Sequence, residues 1–269
     1  MNEAATIRGY YLERINSIES ILGKPRAKFS GKDFHKLRVE IKKVKALSEL
    51  VYYCTQEFQK DKFPGSFQNI FRKAGKVREL TLEISTLKKL RMFSLLKNYV
   101  SQLKKQVEKK KRRFFSVAYA NQEELYKSSD IILPYFNRID KAGVNGFLET
   151  KSKEINGLLG TKILKEENAH ELRKLLKEFY YTASIFGLKT PWFKQMGDFQ
   201  ELLGKWHDDV VMDGYLQKTL KTGKLNDDEI QTIKAVKQLV SYEGEQLFKQ
   251  IKLKVTDFQE TKRFLDIRL

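Results

Sequence analysis

The amino-acid sequence predicts an all-α protein that contains two related helical repeats. Three observations support this prediction. The helix formers Lys, Leu and Glu are abundant and only 4 of the 269 residues are Pro, so long helices are rarely interrupted. Apolar residues recur at helical spacing, and several short motifs occur twice in the same order. A hydrophobic fraction of 41% is enough for a core to form.

A first amphipathic helix is predicted to begin after Ser30. This residue precedes Gly-Lys-Asp33, which is a typical start signal. The apolar stripe that follows has the i, i+4, i+7, i+11 spacing of a helix, and its members are Leu37, Ile41, Val44 and Ser48.

Later segments show the same patterns. A second apolar stripe is formed by Leu172, Leu176, Phe179 and Ala183. Thr190 places a capping residue before a first-turn proline, Pro191. Asn226 precedes Asp-Asp-Glu229, a capping box with an acidic first turn.

Two segments are predicted to lie outside helix interiors. The tail after Lys252 is the one place where a short extended piece fits the pattern. The segment Trp206-His-Asp-Asp209 is expected at a helix start, where acids accept hydrogen bonds from free backbone N–H groups.

The chain repeats itself. Ile7-Arg-Gly-Tyr10 leads to Ile21-Leu-Gly23, and Val144-Asn-Gly-Phe147 leads to Leu158-Leu-Gly160 at the same spacing. His35-Lys-Leu-Arg38 recurs as His170-Glu-Leu-Arg173, and Ala74-Gly-Lys76 recurs as Leu203-Gly-Lys205. The offsets are 137, 135 and 129 residues.

One domain of two repeats is therefore predicted, about 1–127 and about 128–269. The copies should meet around 125–143, where the helical pattern is broken by Ser128, Ser129, Pro134 and Gly143.

Charge is the strongest global feature. Lys and Arg total 52 against 34 acidic residues, a net charge of +18. Such an excess favours polyanionic partners: nucleic acid, anionic membrane or polyphosphate. The single cysteine, Cys54, excludes an internal disulfide and is interpreted as a buried small residue. No signal-peptide pattern and no bilayer-length apolar run occur, so a cytoplasmic protein is expected.

The stretch from Thr86 to Arg113 carries eleven Lys or Arg residues and one acid, Glu108. It keeps an apolar side formed by Leu87, Leu90, Leu95, Leu96, Leu103 and Val107. A solvated helix face and a functional basic surface both fit this pattern.

The repeated helices each carry a basic sector opposite their apolar stripe. At 100° per residue, His35, Arg38, Lys42 and Lys45 cluster on one side of the first helix. His170, Arg173 and Lys177 occupy the matching sector of the second. The first row spans about 15 Å at 1.5 Å per residue. Because acids are almost absent from it, we interpret this face as a binding surface for phosphate groups.

At these residues the sequence resembles the CHAD family, the conserved histidine α-helical domain. Phe34-His35-Lys-Leu-Arg38-Val-Glu-Ile-Lys42-Lys43-Val-Lys45 is similar to the family's signature, and Ala169-His170-Glu-Leu-Arg173-Lys174-Leu-Leu-Lys177 to its second half-signature. Ala74-Gly75-Lys-Val-Arg78-Glu79-Leu and Phe199-Gln-Glu-Leu-Leu-Gly204-Lys-Trp-His207-Asp208 resemble two further family segments. The resemblance covers nearly the whole chain.

The resemblance implies two helical bundles related by a pseudo-two-fold, with a basic groove or cavity between them. It implies binding of inorganic polyphosphate or another polyanion, with polyphosphate granules or polyphosphate-metabolising enzymes as further partners. No catalysis, cofactor or metal is expected. The site residues carried over from the motifs, with adjacent cations, are His35, Arg38, Lys42, Lys43, Lys45, Lys76, Arg78, His170, Arg173, Lys174, Lys177 and Lys205.

The sequence departs from the family pattern at four positions. Glu178 and Tyr180 stand where further cations are expected, so the second copy should bind more weakly. Glu79 replaces an Asp and His207 replaces an Asn.

Two other functions are compatible with the sequence. His207-Asp208, with His170 upstream, is the kind of ligand set that a metal-dependent HD-type phosphohydrolase uses. Nucleic-acid binding fits the net charge, although no recognition-helix or zinc signature accompanies it. A basic membrane-surface helix within Thr86 to Arg113 is a lesser alternative.

Overall fold

The protein is described here from a computed structural model, which covers residues 3–58, 65–161, 163–187, 191–222 and 224–261. Nine α-helices account for most of these residues: α1 Glu3–Leu22, α2 Gly31–Thr55, α3 Gly65–Lys89, α4 Lys97–Ala120, α5 Gln122–Ser129, α6 Lys141–Leu159, α7 Glu166–Ile185, α8 Pro191–Thr222 and α9 Asp227–Thr261. Two 3-10 helices, Arg26–Lys28 and Asp130–Arg138, connect α1 to α2 and α5 to α6. The described ranges contain no β-strand, so the predicted all-α class is confirmed.

Helices α2 and α7 lie next to each other at the centre of the molecule. Helix α2 contacts α1, α3, α6 and α7, and α7 also contacts α6 and α8. The two apolar stripes predicted for these helices are fully buried, and their members are Leu37, Ile41, Val44, Ser48, Leu172, Leu176, Phe179 and Ala183. Burying these stripes leaves the opposite, basic sectors of the same helices free to line a shared cleft.

A second, smaller core joins α3, α4, α8 and α9. It contains Leu87, Tyr99, Leu103, Met212, Leu216, Ile233 and Val236. A buried polar contact also links α4 to α9, because the backbone N–H of Tyr99 donates to a carboxylate oxygen of Glu229 at 2.9 Å. This core fixes the positions of α3 and α8, which carry two further sides of the cleft.

Two predicted helix starts are confirmed. Ser30 and Asp33 form a reciprocal capping box at the start of α2. The side chain of Asn226 accepts from the N–H of Glu229 at 2.8 Å at the start of α9. Pro191 is the first residue of α8, whereas its predicted cap, Thr190, lies outside the described residues.

Two local predictions are wrong. Within the tail after Lys252, residues 253–261 are helical and belong to α9, where Ile251 and Val255 are buried one turn apart. Trp206 to Asp209 lie inside α8 and not at its start. The apolar residues Met196, Phe199, Leu203 and Trp206 are all buried at helical spacing, so they extend the helix well before this segment.

The predicted junction between repeats is interrupted by a 3-10 helix that contains Pro134. Gly143 does not break the pattern, because it lies in the first turn of α6 and its N–H donates to the capping carboxylate of Asp140 at 2.7 Å. Cys54 is half-buried, and a Cβ on Gly143 would lie 3.0 Å from its Sγ.

The basic stretch from Thr86 to Arg113 is divided between two helices. Helix α3 ends at Lys89, and α4 begins at Lys97 after a turn in which Arg91 adopts a left-handed φ of 58°. Most of the expected apolar side is buried or half-buried, but Leu95 is 59% exposed. Among the described helices, none combines the length and hydropathy needed to cross a bilayer.

Candidate anion-binding groove

A groove lies between α2, α3, α7 and α8. Its central pocket has a volume of about 410 Å³. The basic side chains that line it are His35, Arg38, Lys42, Arg78, Arg173, Lys177, Lys205 and His207. Glu79, Glu201 and Asp208 are the acidic side chains in the same lining. Cations from four helices therefore converge on one cleft.

A side pocket of about 480 Å³ adjoins the central pocket. Both are lined by Lys42, Arg173, Lys177 and Tyr181, so together they form one groove. The side pocket adds Lys45, Lys151 and Lys174, but it also has four carboxylates, Glu49, Glu154, Glu171 and Glu178. Each pocket is lined by six Lys or Arg side chains, and the central pocket has three carboxylates where the side pocket has four, so the excess of positive charge is slightly larger in the central pocket.

Arg38 is held in the groove by contacts with α3. Its guanidinium donates to the backbone carbonyl of Phe71 at 2.9 Å and stacks 3.9 Å from the centre of the Phe71 ring. The guanidinium lies directly against Gly75, where a Cβ would collide with its Nη1. The absence of a side chain at Gly75 thus allows Arg38 to lie flat along α3 and present its remaining donors to the cleft.

Arg78 of α3 and Asp208 of α8 form a bidentate ion pair across the groove. The two nitrogen–oxygen distances are 3.1 Å and 2.7 Å. Both side chains are about three-quarters buried. This fork-to-fork geometry fixes the guanidinium plane and ties α3 to α8. It also neutralises part of the charge of Arg78.

The surroundings of Lys42 and Lys177 in the groove disfavour the charged form of both side chains. Burial, followed by the charges of Lys177 and Arg38, lowers the pKa of Lys42 to about 7. Burial and the neighbouring Arg173 lower the pKa of Lys177 to about 8. Within the described part of the chain, no carboxylate forms an ion pair with either lysine. An anion bound between them would relieve this repulsion.

Arg173 has an unused donor in the same place. Its Nε is buried and has no hydrogen-bond partner among the described residues. Its guanidinium lines both pockets. A buried donor without an acceptor costs free energy, which a phosphate oxygen would recover.

The histidines occupy different positions around the groove. His35 lies at its edge and is partly exposed; the partial desolvation of its ring, followed by the charge of Arg78, lowers its pKa. His207 lines the pocket with its Nδ1 buried and unpaired, and burial and Arg173 lower its pKa to about 4. His170 lines neither pocket; its ring centre lies 4.9 Å from that of His207.

The candidate residues from the sequence are distributed unevenly. Seven of them line the central pocket: His35, Arg38, Lys42, Arg78, Arg173, Lys177 and Lys205. Lys45 and Lys174 line only the side pocket. Lys174 and Lys205 are paired with Glu171 and Glu201 on their own helices.

Three candidates lie outside both pockets. Besides His170, these are Lys43, which bonds the buried Glu40 at 3.0 Å, and Lys76, which bonds Glu79 at 3.0 Å. Glu40 also lies 3.4 Å from Arg14 of α1. Lys43 therefore belongs to an interhelical ion-pair network on the other side of α2.

Sequence reasoning missed several lining residues. Tyr181 lies one turn after Lys177 on the same face, so the helical wheel contained the signal that identifies it. Lys151 comes from α6 and lies outside the repeated basic helices, so only the tertiary packing brings it to the side pocket. The sequence predicts Asp208 as an acid at a helix start or, alternatively, as a metal ligand, and no sequence signal indicates its pairing with Arg78.

The residues of the HD-type alternative are arranged differently from a metal centre. Both carboxylate oxygens of Asp208 accept hydrogen bonds from Arg78. Across the described ranges, no group of three or more His, Cys, Asp or Glu side chains is placed to hold a metal ion.

The fold and the groove together define a class: an all-helical domain with a cationic cleft between its helices. Comparison with known families identifies it. The CHAD domain family model matches residues 25–217, and the chain belongs to this family.

Solved structures support the same fold. The chain is similar to the crystal structure of the CHAD domain from the plant Ricinus communis, with a TM-score of 0.74, 14% identity, and coverage of 95% of this chain and 90% of that one. It is also similar to PptA from Streptomyces chartreusis, with a TM-score of 0.67, 11% identity, and coverage of 95% and 99%. At these identities the likeness establishes the fold alone. No match was found among curated proteins.

Proposed function

We propose that this protein binds inorganic polyphosphate, or a similar long phosphate polyanion, in the groove and does not alter it chemically. One observation carries the proposal. Of the five Lys and Arg side chains that converge from α2, α3 and α7 on the central pocket, only Arg78 is paired with a carboxylate in the described structure. The others are Arg38, Lys42, Arg173 and Lys177.

The chemistry of these side chains fits phosphate. Phosphate oxygens only accept hydrogen bonds, and every group named here only donates them when charged. Arg38 and Arg173 can each meet two oxygens, and the lysines act as mobile point charges. Because the side pocket continues the central pocket, the groove can hold consecutive phosphates of a linear chain.

The proposal includes the duplicated architecture. Helices α2 and α7 carry the two His-x-x-Arg motifs, and both face the same cleft. Two repeats related by a pseudo-two-fold, meeting near residue 128, would produce such an arrangement. The second repeat contributes Glu178, which lies 3.6 Å from Lys151 in the side pocket. We therefore expect the first repeat to contribute more affinity.

The proposal also covers partners and reaction. Polyphosphate, polyphosphate granules and polyphosphate-metabolising enzymes in the cytoplasm are the expected partners, and membership of the CHAD family supports this. No hydrolysis or synthesis of phosphoanhydrides is expected. Turnover of polyphosphate or a nucleotide by pure protein that is lost in His207→Ala would establish the phosphohydrolase alternative instead.

The test is a titration of the protein with long polyphosphate, compared with the variant Lys42→Gln/Lys177→Gln. The variant removes two groove cations that have no ion-pair partner among the described residues, so the fold should survive, which circular dichroism can verify. We expect a clear loss of polyphosphate affinity in the variant. Equal affinity in the two proteins would place the polyanion elsewhere and refute the groove as the site.

A further inference from the structure

The outward side of α4 is a basic surface that the groove does not use. Its exposed cations are Lys97, Lys104, Lys105, Lys109, Arg112 and Arg113, named here the α4 basic face. None of them lines either pocket of the groove. The only acid on α4, Glu108, is bonded to Lys111 of the same helix at 2.9 Å.

These charges are exposed because the opposite side of α4 packs against the hydrophobic core. Tyr99, Leu103, Val107 and Phe114 are all buried. At 100° per residue, the exposed cations cover roughly half of the helix circumference opposite that stripe. From Lys97 to Arg113 the face is about 24 Å long at 1.5 Å per residue.

The cations of this face are largely free of intramolecular partners. Lys104 lies 5.4 Å from the centre of the Phe93 ring. In the described part of the chain, no ion pair is formed by Lys105, Lys109 or Arg112. An ordinary solvated helix face mixes charges of both signs, so this concentration of one sign indicates a polyanionic partner.

We infer that the α4 basic face binds the phosphate backbone of double-stranded nucleic acid, independently of sequence. The charges surround a convex helix, so a groove bordered by two phosphate strands can meet both edges of the face. A major groove about 12 Å wide admits an α-helix of about 10–12 Å in diameter. Lys and Arg contacts to phosphates position a protein on a duplex without reading its bases.

An anionic bilayer fits this surface less well. A flat membrane reaches only a strip of a convex face, and the charges at its two edges point away from the plane. Interfacial helices also insert an apolar side into the lipid, whereas the apolar side of α4 is buried against the protein core.

The test compares two triple variants of the full chain with equal changes in charge. One is Lys105→Gln/Lys109→Gln/Arg112→Gln on the α4 basic face. The matched control is Lys221→Gln/Lys234→Gln/Lys254→Gln, three exposed lysines on α8 and α9. Binding to a 20-base-pair DNA duplex is measured by fluorescence anisotropy over a range of salt concentrations, and all substitutions are on exposed positions that folding tolerates.

We expect the face variant to bind the duplex more weakly than the wild type. The plot of log binding constant against log salt concentration should also become shallower by about three, since each phosphate contact contributes about 0.9 to the steepness of that slope. The control should behave like the wild type. The groove variant Lys42→Gln/Lys177→Gln should keep duplex binding, and the face variant should keep polyphosphate binding. The experiment can therefore refute the duplex site on the α4 basic face without refuting the polyphosphate site in the groove, and the reverse.

Three results would overturn the inference. They are no duplex binding by the wild type, equal losses in the face variant and its control, or loss of duplex binding only in the groove variant. Binding of the face to phosphatidylserine vesicles but not to the duplex would assign it to a membrane surface instead.

Discussion

At the scale of single residues, the groove combines cations that are fixed with cations whose charge depends on the ligand. Arg38 and Arg78 are held in place by Phe71 and Asp208. Lys42 lies 5.8 Å from the centre of the Phe71 ring, but neither Lys42 nor Lys177 forms an ion pair among the described residues, and burial lowers their pKa towards neutrality. Binding should therefore be coupled to proton uptake at these two lysines.

This coupling predicts a pH dependence. The pKa of Lys42 is about 7 without ligand, and a bound polyanion favours the charged form and raises it. Binding then takes up a proton above pH 7, so affinity should fall as the pH rises from 7 to 9, with a slope approaching about one decade per pH unit for each lysine that titrates. Calorimetry in buffers of different ionisation enthalpy measures the uptake. Lys42→Arg should flatten the profile, and an unchanged profile in that variant would contradict the assignment.

Arg38 tests whether binding depends on position or only on net charge. Arg38→Glu and Lys234→Glu change the net charge equally, but Arg38 lies in the groove whereas Lys234 is exposed on α9. We expect Arg38→Glu to weaken polyphosphate binding at least tenfold more, because charged hydrogen bonds contribute about 1.5–3 kcal/mol each. Titrations at fixed salt provide the comparison. Equal losses would mean that binding is diffuse.

Lys43 should behave in the opposite way. Its amine bonds Glu40, which is almost fully buried and also close to Arg14. Lys43→Gln should lower the free energy of unfolding by about 1 kcal/mol and leave polyphosphate affinity nearly unchanged. Chemical denaturation and titration of the same preparation distinguish the two effects. A large loss of affinity with normal stability would place Lys43 in the binding site after all.

At the scale of helices, the position of the Arg38 guanidinium of α2 against α3 depends on Gly75. Alanine is a better helix former, and Gly→Ala inside a helix usually stabilises by about 0.5–1 kcal/mol. Here the added Cβ would collide with Arg38, so Gly75→Ala should displace the guanidinium and weaken binding. Gly157→Ala on α6 is the matched control, since it has no neighbour within 4 Å. It should gain stability without losing affinity; similar binding by both variants would show that Arg38 is not needed in its present position.

The sequence predicted those helices whose signals are local. The stripe of α2, its capping box at Ser30 and the cap of α9 at Asn226 all depend on residues within a few positions of each other. A helix start was predicted at Pro191, where α8 begins, but a second start was wrongly placed inside α8 because Trp206 to Asp209 resemble a start signal. Burial of Phe199 and Leu203 against the core, which is a tertiary effect, continues that helix through the segment.

The same distinction applies to the site. Helical periodicity identified the basic sectors of α2 and α7, which line the groove. The same periodicity leaves Lys43 outside the basic sector, and only the family resemblance added it to the site. In the structure Lys43 bonds Glu40, which also lies near Arg14 of α1. The Arg78–Asp208 pair joins residues 130 positions apart, and no pattern along the chain encodes such a contact.

At the scale of the whole molecule, the groove has two unequal ends. Both pockets are lined by six Lys or Arg side chains, but the central pocket has three carboxylates, whereas the side pocket has four, Glu49, Glu154, Glu171 and Glu178. A short phosphate chain can occupy the central pocket alone. A longer chain also reaches the side pocket, where Lys45, Lys151 and Lys174 offer further contacts. Extra contacts within one ligand are intramolecular and raise avidity.

Chain length and the two repeats can therefore be tested together. We expect long polyphosphate to bind more tightly than tripolyphosphate, with an affinity that falls steeply with salt. Disabling His35, Arg38 and Lys42 should cost more affinity than disabling His170, Arg173 and Lys177. The first three all line the central pocket, whereas His170 lies outside it and Glu178 opposes phosphate near the second set. Salt-dependent titrations of both triple variants with short and long chains measure these effects. The hypothesis that both repeats contact one polyphosphate chain in the groove is wrong if affinity is independent of chain length, or if the second triple variant binds like the wild type.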